Sequence, residues 1–257
     1  MNSYFIVLSI VALFSEPGFG FKFPDSFKKC KVSPELDGKP NECLVVAMNE
    51  AIHQLAEDGN PDLGATDLDP LLVKHMIIDQ GGDSPIAIKL EFTNNNLTGF
   101  STLDAKSVSG KLSSPKDFNM VFKLTIKTLK LIGPYKINGK VLILPIQGTG
   151  TSTMILTGVT ATITIKGQPQ MKDGKETLKI TSFDLKFRPK RLHYEFGNLF
   201  NGDKALGDNT NLFLNQNWED IFNELKKAIE NAFGSVFRDY AKQILENLPF
   251  NEIFQVD

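Results

Sequence analysis

The sequence has little of what chemistry at a protein site requires. Its 257 residues hold 3 His, 2 Cys and 1 Trp. His53, His75 and His193 share no ligand spacing, such as two His four apart on one helix, so no metal site is expected. There is no Gly-x-Ser-x-Gly elbow and no His-Glu-x-x-His. Gly148-Thr149-Gly150-Thr151 lacks the Lys of a phosphate loop and reads as a bend or bulge in a strand. Asp67 and Asp69 are close enough to pair as acid and base, but beside Pro70 they read as a cap or turn. No catalytic residue and no cofactor is therefore expected. An excess of charge is missing too. Lys plus Arg is 28 against 30 for Asp plus Glu, a formal net charge of -2, which leaves no global field to gather nucleic acid.

Long apolar runs are absent as well. The one candidate, Tyr4 to Phe14, is shorter than the roughly 20 residues that cross a bilayer. It fits the apolar region of a secretory signal peptide over residues 1–20, with Gly18 and Gly20 spaced for cleavage after Gly20. No stable membrane insertion is expected of the remaining chain, read as one domain over 21–257. In an oxidising compartment Cys30 and Cys43 read most simply as a disulfide. The sequon Asn96-Leu97-Thr98 belongs on the surface, as a site open to N-glycosylation.

What the chain does have is phenylalanine, 20 against 4 Tyr. Phe has no polar atom to satisfy, so this aromatic surface can all be dry. It suits a dense core or an apolar cavity, and composition alone favours the core. Asn41 caps a helix beginning near Glu42, whose stripe Leu44, Ala47, Met48, Ala51, Ile52 and Leu55 ends before Gly59 and Pro61. From Pro85 to about Phe196 the period becomes two, as in Ile86, Ile88, Leu90 and Phe92. Asn138-Gly139 and Asp173-Gly174 read as hairpin turns, so the sheet is antiparallel. From Trp218 to Leu248 apolar residues recur at helical steps, which predicts a rod on the order of 45 Å. Its apolar face is wider than a coiled-coil seam. A curved antiparallel sheet folded around this one helix, an α+β fold, satisfies both patterns.

Four segments carry a resemblance to the Takeout and juvenile-hormone-binding-protein family of secreted insect proteins. They are Phe27-Lys28-Lys29-Cys30 with Asn41-Glu42-Cys43-Leu44; Leu63-Gly64 with Leu68-Asp69-Pro70; Gly139 to Gly148, reading GKVLILPIQG; and Asn198 to Gly202 with Leu214 to Trp218. The resemblance implies the tubular lipid-binding fold, a long helix wrapped by a strongly curved sheet around an internal hydrophobic tunnel. It implies an extracellular, monomeric carrier of one elongated apolar ligand, such as a juvenile-hormone-like terpenoid or a fatty acid. Some relatives are linked to daily rhythm, feeding or chemosensation. This chain has one cysteine pair where blood-borne hormone carriers have two, which places it nearer the Takeout branch.

With the resemblance, the helix stripe points to a tunnel lined by some of Phe222, Leu225, Ile229, Phe233 and Phe237. From the strands it adds some of Phe122, Leu124, Ile143 and Ile163. Which strand face lines it is open, because a one-residue register error swaps the faces. Two other functions compete. One is a lipid esterase built from scattered Ser, His and Asp. The other is a lipid-transfer protein at membrane surfaces, with the basic run Lys186 to Arg191 as its foot, although that run also reads as an exposed strand end.

Overall fold

A computed structural model of the chain describes residues 21–60, 63, 68–82 and 84–256. The segment read as a signal peptide, and Asp67, lie outside the described residues. The chain runs β1 (Cys30–Val32), α1 (Glu42–Glu57), β2 (Leu71–Gln80), β3 (Ile86–Thr98), β4 (Leu103–Lys111), β5 (Asn119–Val141), β6 (Leu144–Lys172), β7 (Lys175–Arg188) and β8 (Arg191–Phe196). Then come α2 (Lys204–Gln216), α3 (Trp218–Leu245), α4 (Phe250–Ile253) and β9 (Phe254–Val256).

The axis of the sheet is a ribbon of two long strands. β5 has 23 residues and β6 has 29, and they pair antiparallel from Asn119↔Lys166 to Val141↔Leu144. Each is shared by two partners. β5 takes β4 on its first half and β3 on its second, while β6 takes β8 and then β7. The path β2-β3-β5-β6-β7 leaves β2 and β7 as its ends, and both touch α3, so the sheet curls round that helix. This is a curled antiparallel sheet closed over a C-terminal helix, the architecture expected.

The ribbon bends where backbones come close. At Gly133, φ is +154°, and a Cβ there would lie 2.7–2.9 Å from Asn95. The β3–β5 register shifts beside it, between Phe92 and Asn96, and buried Asn95 donates to the carbonyl of Pro134 at 2.8 Å. Only glycine fits at that corner.

α1 begins where its cap predicts. The Asn41 side chain accepts from the Leu44 amide at 3.1 Å. The Cys30–Cys43 disulfide ties α1 to β1, and β1 pairs parallel with β9, so the two ends of the described chain meet. On α3, Glu230 is the one buried charge, 5% exposed. It accepts from the Phe187 amide at 3.1 Å and the Lys186 ammonium at 3.3 Å, stapling the helix to β7. Glu230→Ala leaves that amide without its acceptor, and we expect a loss of about 1–3 kcal/mol in chemical denaturation. Glu230→Gln keeps a carbonyl acceptor and should recover much of it; equal losses in both variants would refute this account.

Three expectations are corrected. Asn138-Gly139 is not a turn. Both residues lie in β5 opposite Gln147 and Ile146, and the chain reverses later, at Leu142-Ile143. α3 ends at Leu245 rather than Leu248. The sheet begins at Leu71, not Pro85, because β2 hides its alternation behind two consecutive exposed residues, Lys74 and His75. Asp173-Gly174 does make its hairpin, between Lys172 and Lys175.

Candidate ligand cavity

The curl of the sheet leaves a hollow. Residues at even positions from Met120 to Ile126 on β5 and at odd positions from Val159 to Ile165 on β6 point inward, as a period of two requires. Phe183, Leu185 and Phe187 do the same on β7. Opposite them, Phe233, Phe237, Tyr240, Ala241 and Ile244 form one face of the second half of α3, and Leu44, Met48, Ala51 and Ile52 form one face of α1. Between these walls lies a cavity of about 330 Å³. Phe23, Phe27 and Lys28 close it from the N-terminal segment, Ile253 and Phe254 from the C-terminal one.

Among the described residues that line it, Lys28 and Tyr240 are the polar ones, and none is Ser, Thr, Cys, His, Asp or Glu. The hollow exists because small side chains stand where large ones would fill it. Ala161 faces inward between Leu124 on β5 and Phe187 on β7, and Ala47, Ala51 and Ala241 do the same on the helices. Small residues facing inward are the sequence signal for a cavity; Ala47 and Ala51 read from sequence simply as part of the α1 stripe.

Of the residues named from sequence, Phe122, Leu124, Ile163, Phe233 and Phe237 line this cavity. Leu225 and Ile229 lie nearer the start of α3 and line a separate cavity of about 30 Å³ with Tyr194 and Phe196. Phe222 lines neither; its ring packs 5.6 Å from that of Phe187, which also meets Phe233 at 6.0 Å. Ile143 is corrected outright. It sits in the two-residue turn between β5 and β6 and is 92% exposed.

Beyond the small cavity the turn Gly197–Leu199, which follows β8, crosses the ribbon closely, with Leu199 bridged to Gly148. A Cβ at Gly148 would come within 2.7 Å of the Tyr135 hydroxyl, and one at Gly150 within 2.5 Å of the Gly197 carbonyl. The Gly-rich run is thus a close approach of two backbones. Tyr135 donates to that same carbonyl at 2.8 Å, and burial pushes its phenol up to about 12. Burial raises the Tyr194 phenol further still.

The remaining candidates are engaged elsewhere. Asp69 accepts from the amides of Gly99 and Ser101 at 2.9 and 3.0 Å, a structural role reached about thirty positions along the chain rather than a turn beside Pro70. His53 contacts the Leu103 carbonyl and His75 contacts Glu91, each at 2.9 Å, while His193 lies on the outer face of β8. Among the described residues no three His, Cys, Asp or Glu converge as metal ligands, and no helix is long and apolar enough to cross a membrane. Three of the four basic side chains in the run Lys186–Arg191 are engaged, and Lys190 is exposed. Burial opposes the charge of Lys186, but Asp184 and Glu230, each 3.3 Å away, outweigh it and hold the ammonium above its ordinary range. Arg188 pairs with Glu219 at 2.6 Å, and Arg191 lies over the Trp218 ring at 5.7 Å.

Comparison with known proteins agrees with this geometry. The family model described as "Haemolymph juvenile hormone binding protein (JHBP)" matches residues 5–255. The chain is 29% identical over 238 residues to the circadian clock-controlled protein daywake of Drosophila melanogaster, covering 91% of this chain and 88% of that protein. Daywake of Drosophila yakuba is 28% identical over 240 residues, 91% of this chain and 89% of that one. The crystal structure of Epiphyas postvittana Takeout 1 superposes with a TM-score of 0.72 at 24% identity, over 89% of this chain and all of that one.

Proposed function

The chain belongs to the haemolymph juvenile hormone binding protein family, and on that footing we propose that it is a secreted, monomeric carrier. It holds one elongated apolar small molecule in the cavity between sheet, α1 and α3. The observation that carries this reading is a hollow of about 330 Å³ with two polar residues among its described lining. That volume lies within the range of ligand pockets, about 300–1,000 Å³. A ligand burying roughly 300 Å² of apolar surface gains on the order of 7 kcal/mol before entropic costs. Phe122, Leu124, Ile163, Phe233 and Phe237 touch its chain, and Lys28 or Tyr240 meets its polar end.

Native mass spectrometry of protein taken from its source, followed by organic extraction, is the deciding measurement. A retained apolar molecule of defined mass supports the carrier; protein that arrives empty and takes up no fluorescent fatty probe removes it. The same reading makes the protein a non-enzyme, because an ester in this cavity meets no Ser, Cys or His among the described lining residues. Turnover of a lipid ester, lost on mutation of one Ser or His, would contradict that. We extend to this chain the daily rhythm in the daywake relatives' name, to be checked by following its abundance around the day.

Secretion also bears on Asn96. It is exposed on β3, with Thr98 two residues on. Protein secreted from eukaryotic cells is expected to lose mass on amidase treatment, and Asn96→Gln to show no such loss. Untreated wild-type protein at the bare polypeptide mass would refute it.

A further inference from the structure

The β5–β6 ribbon ends in three consecutive exposed aliphatic residues. Leu142 is 52% exposed, Ile143 92% and Leu144 44%. They are not needed by the core, because Val141 and Ile146 on either side supply the inward contacts there. A two-residue turn ordinarily uses Gly, Asn or Asp. Here Leu142 alone of the two turn residues has a positive φ, 55°. That is the pattern of a type II′ turn, whose first position favours Gly. A leucine in the left-handed region is disfavoured by its own Cβ. The turn therefore keeps an exposed apolar side chain at a position where local stability favours none.

The charge on the ribbon itself has one sign. From Phe118 to Lys172 the chain carries seven Lys and no Asp, Glu or Arg. Lys136 and Lys140 are exposed on the strand leading to the turn. Of the nearby carboxylates, Glu91, across from Lys136, contacts His75, Glu224 contacts Ser84, and Asp79 lies two strands away opposite Lys89. Successive side chains at a reversal point in different directions. A flat protein surface covers one side of such a tip, whereas a lipid phase surrounds it.

We propose that Leu142–Leu144, backed by Lys136 and Lys140, is a docking tip that dips into an anionic lipid surface. The aliphatic side chains enter the boundary between headgroups and acyl chains, while the ammonium groups stay with the phosphates. This goes beyond the carrier reading and does not rest on it. It also moves the membrane contact away from Lys186–Arg191, where Lys186, Arg188 and Arg191 are engaged by Asp184, Glu230, Glu219, Asn215 and Trp218.

The test is flotation of the full secreted protein with vesicles of phosphatidylcholine alone or mixed with phosphatidylserine. Wild type is expected to float with the mixed vesicles, less so as salt rises. The double variant Leu142→Gly/Ile143→Ser should partition about tenfold less or weaker still, and Lys136→Gln/Lys140→Gln about tenfold less. The first variant suits the turn better than the native pair, so its melting temperature should hold or rise, and lost flotation is not lost fold. Uptake of a fatty probe in free solution should be unchanged in both, which separates failure here from failure of the carrier reading. Wild type that ignores the mixed vesicles, or a tip variant that floats like wild type, overturns the proposal. So does a concentration-dependent dimer that the tip variant abolishes, since a second copy would then cover these residues.

Discussion

Ala161→Trp is expected to weaken binding of a fluorescent fatty probe by at least about tenfold, or about 1.4 kcal/mol, in a titration against wild type. Ala161 faces the hollow between Leu124 and Phe187, so an indole there stands where the ligand chain would lie. Thr160→Trp, next along β6 and exposed on the other face, is the control and should bind as wild type does. Stability separates two pictures. Forcing a larger side chain into a close-packed core costs about 1–3 kcal/mol, whereas an indole entering an empty apolar hollow finds room and buries its surface. A variant that binds normally, or one that is markedly destabilised, would place the cavity elsewhere or show it filled in solution.

Replacing both cysteines, Cys30→Ser with Cys43→Ser, is expected to cost about 2–5 kcal/mol. For a domain of this size that corresponds to roughly 4–20 °C in melting temperature, readable by scanning calorimetry. The bridge fastens β1 to the first turn of α1, and Phe27, Lys28 and Leu44 at this junction all line the cavity. Probe affinity should therefore fall along with stability. A melting temperature unchanged in the double variant would mean that β1, β9 and α1 are held by packing alone.

Much of this was legible in the sequence, for identifiable reasons. The α1 cap, the Asp173-Gly174 hairpin, the disulfide and the wrapped helix each rest on short-range rules that tertiary context did not override. α2 was not read, because its apolar positions are few and Leu206 and Leu212 remain exposed. β1 and β9 were missed because each has three residues and finds its partner at the other end of the chain. The cavity was harder still. A stripe such as Leu225, Ile229 and Phe233 reports that a helix face is apolar, not whether its neighbour fills it. The difference lies in small residues, Ala161 above all, whose role shows only when cross-strand partners are known. Ile143 failed for another reason: alternation was carried through a reversal that no turn dipeptide announced.

The pairing of β1 with β9 also sets an order of assembly. Cys30–Val32 leave the ribosome about 220 positions before Phe254–Val256. At roughly 5–20 residues per second, that is an interval of about 10 to 45 s. For that time the N-terminal strand has no partner, and the cavity lacks the wall given by Ile253 and Phe254. α1 and the early strands must wait with an apolar face uncovered, in a compartment where other chains do the same. Of the described lining, Ile253 and Phe254 are the last residues to be made, so a ligand of the kind proposed can be enclosed only once they have emerged.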